Sequence, residues 1–60
     1  MSGTFYTYED RSGYYRWYLK DTNGRKIADS GEGYASRYNC ERAVRNVIST
    51  CRGNVQVVNG

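Results

Sequence analysis

The sequence has no histidine and no proline, only two cysteines and one methionine, and no long apolar run. Each shortage removes a class of explanation. Two thiols without histidine fall short of the four ligands of a structural zinc site. No imidazole is available as a general base or to activate a nucleophile. Without proline, turns have to be built from Gly, Asn, Asp and Ser. No stretch approaches the roughly 20 apolar residues that cross a bilayer, and the N-terminus lacks the apolar core of a signal peptide. The sequence therefore predicts a cytoplasmic chain with no membrane contact and reduced thiols. Its carboxylates, Glu9, Asp10, Asp21, Asp29, Glu32 and Glu41, fall mostly at turns and on a helix surface, with no pair at an acid–base spacing. Neither enzymatic activity, a metal nor a cofactor is expected.

What is present is aromatic. The chain has 60 residues, read as one domain over residues 1–60. A domain of this size buries only about 60% of the surface of its unfolded chain, so a disulfide, a metal or a partner subunit usually completes the core. Hydrophobic residues make up 38%, but seven Tyr, one Trp and one Phe offset the shortage of aliphatics because each ring buries a large area. Nine Lys and Arg against six Asp and Glu give a net charge of +3. That keeps a soluble chain dispersed and admits anionic partners, but a compact nucleic-acid binder usually carries more clustered cations.

Thr4 to Glu9 (TFYTYE) is rich in β-branched and aromatic residues and reads as a strand. Asp10-Arg11-Ser12-Gly13 is a turn, with Gly13 free to take a positive φ. Tyr14 to Asp21 is the second strand. Asp21-Thr22-Asn23-Gly24 closes it, Asn-Gly being the strongest two-residue hairpin signal. Arg25 to Ser30 is the third, which makes an antiparallel meander. Ser30-Gly31-Glu32-Gly33 interrupts the pattern, and Ser36 is placed to cap a helix. Behind it, Cys40, Ala43, Val44, Val47, Ile48 and Cys51 form one apolar stripe at helical spacing. Arg52-Gly53 is a stop, with Gly at the C′ position. Val55 to Val58 (VQVV) predicts a short final strand. The class is α+β, in βββαβ order, with the helix packed on one sheet face. The last strand needs a neighbour with free ladder groups, in its own sheet or in that of a second subunit.

Strand alternation divides YYRWYLK, residues 14–20. Tyr15, Trp17 and Leu19 share one side and should meet the helix, with Phe5, Thr7 and Ile27. Tyr14, Arg16, Tyr18 and Lys20 share the other side with Tyr6 and Tyr8, flanked by Lys26. A single helix layer leaves that outer face uncovered. Tyr6, Tyr8, Tyr14, Arg16, Tyr18 and Lys20 are thus the candidate binding face. Exposed sheet faces favour Tyr and Arg simply because they pair well across strands. Tyr and Arg are also typical hot-spot residues of protein interfaces. Rings that stack bases beside cations that hold phosphates would make a platform for single-stranded nucleic acid. The leading expectation is a non-enzymatic binding or interaction module that works through this face. Single-stranded nucleic-acid binding is the alternative.

The loop SGEGYAS does not match the spacing of a phosphate-binding loop, and Glu32 would repel an anion. Its glycines allow a sharp strand-to-helix turn. Cys40 and Cys51 would stand about 16 Å apart along a helix, too far for a disulfide. Both lie on the buried stripe and read as small core residues, with Cys51, near the helix end beside Arg52, the better candidate for a reactive thiol or an intersubunit contact.

The run from Gly13 to Ser36, GYYRWYLKDTNGRKIADSGEGYAS, resembles the signature of the YegP-like family of small uncharacterised proteins. Tyr15, Arg16, Trp17, Leu19 and Lys20 match a strand motif Y-R-W-x-L-K. Asn23, Gly24, Ile27, Ala28, Ser30, Glu32, Gly33, Tyr34 and Ser36 match the turn and loop that follow. Cys40, Val44 and Val47 fit the family helix. Arg37 stands where Lys is usual, and Lys26 where an apolar residue is common. The resemblance implies βββαβ units that work in pairs, in tandem or as two subunits, sharing a sheet and exchanging C-terminal strands. For this chain it implies a homodimer in which Val55, Val57 and Val58 belong to the exchanged strand. It implies no catalytic residue.

Overall fold

In the computed structural model the described residues are 2–58; Met1, Asn59 and Gly60 lie outside them. The elements are β1 (Gly3–Glu9), β2 (Tyr15–Asp21), β3 (Lys26–Asp29) and α1 (Arg37–Arg52). The sheet is antiparallel in the order β1-β2-β3. Thr4 faces Lys20, Tyr6 faces Tyr18 and Tyr8 faces Arg16 across β1 and β2.

Both hairpins use one device. Asp10 Oδ1 accepts from the N–H groups of Ser12 (2.9 Å) and Tyr14 (3.0 Å). Asp21 Oδ1 accepts in the same way from Asn23 (2.9 Å) and Arg25 (3.0 Å). In each, the glycine N–H closes a four-residue turn onto the aspartate carbonyl, and the glycine φ is positive, 87° at Gly13 and 83° at Gly24. Asn23 has no positive φ, so Asn-Gly does not form the expected two-residue turn, which needs φ > 0 at both residues. The aspartate carboxylate organises a longer loop ending in a left-handed glycine.

Ser36 caps α1 as expected, its Oγ accepting from the Asn39 N–H at 3.1 Å. At the other end α1 stops at Arg52-Gly53 as expected, without a left-handed glycine. The Gly53 φ is −90°, and its N–H bonds back to the Thr50 carbonyl, so a tightened last turn satisfies that carbonyl.

The helix packs across β1 and β2 and does not reach β3. The core beneath it is small: Trp17 is 8% exposed and Cys40 0%. Phe5 meets Trp17 edge-on, ring centres 5.4 Å apart. Tyr15, Leu19, Thr7, Ala43, Val44 and Val47 are half-buried around them. Ile27, expected in this core, is 57% exposed. A register shift at Leu19/Lys20 leaves Ile27 without a partner on β2, and the helix does not cover β3.

Within the single chain, residues 54–58 form no strand. Val55, Val57 and Val58 are 61%, 88% and 82% exposed. The chain exposes 5062 Å², against about 4,000 Å² for a compact monomer of its mass. Its radius of gyration is 12.6 Å, against about 10.4 Å. The excess matches a protruding apolar tail and a helix whose stripe is uncovered at Ile48 and Cys51.

Candidate interaction face

On the outer side of the sheet, register sets the arrangement. Tyr6 and Tyr18, directly opposite one another, stack with ring centres 5.0 Å apart and planes 16° apart. Tyr8 leans on Tyr18 at 5.8 Å. The Lys20 ammonium lies over both stacked rings, 5.8 Å from Tyr6 and 5.9 Å from Tyr18. These four side chains form one preorganised cluster, held by cross-strand and cation–π contacts.

The other predicted members are placed differently. Arg16 Nε donates to Asp10 Oδ2 at 2.7 Å, so this guanidinium braces the first hairpin. That bond, with the N–H groups of Tyr14 and Ser12, holds the Asp10 carboxyl below its usual range and raises Arg16. Tyr14 precedes β2. Its Cβ abuts Gly33, and its half-exposed ring stacks on none of the other tyrosines among the described residues. Lys26 joins the face, lining an open groove with Tyr8, Tyr18 and Lys20, but its Nζ lies 3.3 Å from Asp29 Oδ2. The counter-charges Asp10 and Asp29 were not legible as parts of the face, because a hairpin brings Asp10 back beside Arg16.

The loop before α1 is structural. Tyr15 and Tyr34 exchange both backbone hydrogen bonds at 2.8 Å, extending the edge of β2 past the end of β3. Ser30 Oγ accepts from the Trp17 N–H at 3.3 Å and donates to the Glu32 carbonyl at 2.9 Å. The Tyr34 hydroxyl donates to Glu32 Oε1 at 3.2 Å, and burial raises its pKa, helped by that bond. The buried Trp17 indole N–H has no hydrogen-bond partner among the described residues. Cys40 is sealed in, and burial pushes its thiol up. Cys51, expected in the core with Cys40, is instead exposed, in an open groove with Ser2, Gly3, Leu19 and Ile27 at the end of α1. The described residues hold no helix long and apolar enough to cross a membrane.

Residues 10–56 match the family described as "Domain of unknown function (DUF1508)". Two curated relatives, UPF0339 proteins of Neisseria meningitidis serogroups B and A, are each 50% identical over 46 residues, covering 77% of this chain and 80% of theirs. A UPF0339 protein "in ptx operon 5'region" of Stutzerimonas stutzeri is 45% identical over 47 residues, 78% of this chain but 41% of that protein. The NMR solution structure of a protein from Haloferax volcanii superposes with a TM-score of 0.84 at 32% identity, covering 98% of this chain and 97% of that one. The motifs that prompted the YegP-like resemblance, the meander-plus-helix architecture and these matches agree: the chain belongs to the DUF1508 (UPF0339) family.

Proposed function

We propose that the chain acts in the cytoplasm as a small homodimeric binding module, without catalysis, whose outer tyrosine face engages a protein partner. The observation that carries this reading is the preformed Tyr6–Tyr18–Tyr8–Lys20 cluster, solvent-facing on the side of the sheet opposite the helix. Rings already stacked lose little entropy on binding. A photo-crosslinking residue at position 18 should capture a discrete cellular protein that the same residue at Tyr38, exposed on the helix, does not. Identical products from both positions would overturn the reading.

Dimerisation by exchange of Val55, Val57 and Val58 is the second half of the proposal. It is supported by the exposed tail and by an excess surface of roughly 1,000 Å², the scale one subunit buries in a standard interface. The Stutzerimonas relative, of which the matched stretch is 41%, has room for a second unit in one chain. Sedimentation at low micromolar concentration should report twice the 6.9 kDa chain mass. A monomer would refute the exchange. Deleting residues 54–60 should then dissociate or unfold the protein.

Single-stranded nucleic acid is the second reading, favoured by Lys20 and Lys26 beside the rings and opposed by Asp10 and Asp29 on the same face. A labelled oligonucleotide titrated at two salt concentrations decides it, since phosphate-driven binding weakens steeply with salt. No saturable binding at low salt removes this reading.

A further inference from the structure

At its β3 side the tyrosine face carries a feature that strand pairing does not require. Lys20 and Lys26 are direct cross-strand partners, and like charges so placed oppose sheet formation. The two side chains part. Lys20 leans over Tyr6 and Tyr18, and Lys26 lies 3.3 Å from Asp29. Between them and the rings of Tyr8 and Tyr18 lies an open groove of about 400 Å³ with no carboxylate in its lining. A lining of two lysines and two tyrosine rings is complementary to a carboxylate next to an apolar side chain.

We propose that this groove binds an acidic peptide segment, an Asp or Glu carboxylate joining Lys20 and Lys26 while a neighbouring aromatic or aliphatic side chain packs on Tyr8 and Tyr18. The inference rests on the outer face being a protein-binding surface, and it names the partner's chemistry. Charge distribution favours a peptide over a polynucleotide. Of the three cations on the face, Arg16 and Lys26 already have carboxylate partners, at 2.7 and 3.3 Å. A run of phosphates would meet both Asp10 and Asp29, whereas a single carboxylate on the two lysines has only Asp29 to displace from Lys26.

The test is an amide-NMR titration of the full chain with three probes: acetyl-Phe-Glu-amide, acetyl-Phe-Gln-amide and pentathymidylate. The Glu probe should shift Tyr18, Lys20 and Lys26 saturably. The Gln probe should bind about fivefold more weakly, the loss corresponding to two exposed charge pairs. Lys20→Gln with Lys26→Gln should abolish the difference. Because the Glu–Gln comparison uses the unmodified protein, it stands even if the double variant misfolds. Equal affinity for the Glu and Gln probes overturns the carboxylate site and leaves the aromatic face intact. No shift from either peptide, with position-18 crosslinks still discrete, overturns this inference alone. Tighter binding of pentathymidylate than of the Glu probe overturns both readings.

Discussion

Gly33→Ala should be strongly destabilising although Gly33 needs no unusual backbone angle. A Cβ there would lie 2.6 Å from Tyr14 Cβ and 3.0 Å from Tyr14 Cγ. Ordinary carbon contacts begin near 3.5 Å, so the two segments must separate by about 0.9 Å. Neither is free to do so. Tyr14 is held by Asp10, whose N–H donates to the Tyr14 carbonyl at 2.8 Å and whose Oδ1 accepts from the Tyr14 N–H at 3.0 Å. Next to the contact, Tyr15 and Tyr34 are tied by two reciprocal bonds of 2.8 Å. Opening by about 0.9 Å takes such bonds past the useful limit of roughly 3.2 Å. Losing two of them costs about 2 kcal/mol, within the range of about 1–3 kcal/mol for overpacking. For a domain this small that lowers Tm by roughly 10–15 °C. Two other glycines calibrate the assay. Gly24→Ala meets nothing within 4 Å but sits at φ +83°, so it should cost about 1 kcal/mol through backbone strain alone. Gly53→Ala, with Thr50 O at 3.6 Å and φ −90°, should be nearly neutral. Thermal circular dichroism at one fixed chain concentration reads all three. A Gly33→Ala protein that melts within about 3 °C of the parent, with the Tyr15 and Tyr34 amides still protected from exchange, would refute the steric argument.

Ser36→Ala removes the acceptor for the Asn39 N–H and should cost about 1 kcal/mol, with Ser36→Asp restoring most of it; an unchanged denaturation midpoint would count against the cap. Asp10 has a folded pKa held below its ordinary 3.8, first by Arg16. Its contribution is therefore complete above about pH 4 and disappears as pH falls through the lowered value. Asp10→Asn should make the protein less stable at neutral pH and flatten its loss of stability in acid, as read from melts between pH 2 and 7; equal acid slopes for variant and parent would contradict this. A thiol reagent should reach sealed Cys40 only as the fold opens, so a Cys40 rate equal to that of the denaturant-unfolded chain would contradict the packing of α1 on Trp17.

The parts of the fold legible in the sequence are those that local pattern decides. Phe5, Trp17 and Leu19 alternate with Tyr6, Tyr18 and Lys20, and period two assigns them to opposite faces. The stripe from Cys40 to Val47 and the Ser36 cap define α1 in the same way. What was not legible depends on atoms distant in sequence or on competition between local signals. Asn23-Gly24 carries a two-residue turn signal, but the Asp21 carboxylate collects two N–H groups and selects a longer loop. Ile27 looks like core, yet the register shift and the reach of a 16-residue helix over β1 and β2 alone leave it open. Arg16 looks like a free cation for a ligand until the hairpin returns Asp10 to it. Tyr14 continues the alternation but lies before β2, where Gly33 sets its position.

The apolar surface left open in a single chain lies away from the tyrosine cluster. Ile27, Cys51, Leu19 and Gly3 line one groove at the C-terminal end of the helix, and Val55, Val57 and Val58 lead away from that end. Tyr6, Tyr8, Tyr18 and Lys20 lie on the opposite side of the sheet. Exchange of the tail would therefore cover the first surface without touching the second, so dimerisation and partner binding would not compete. If exchange joins the two sheets edge to edge, both tyrosine clusters come to one side of a continuous surface. A partner carrying two acidic segments would then gain from effective concentration, by about 10²-fold or more over one segment when the spacer fits. A chain without residues 54–60 that remained folded would keep the single-segment affinity and lose that gain. Binding of a two-segment peptide no tighter than a one-segment peptide, at any spacer length, would show that the two faces do not lie on one side.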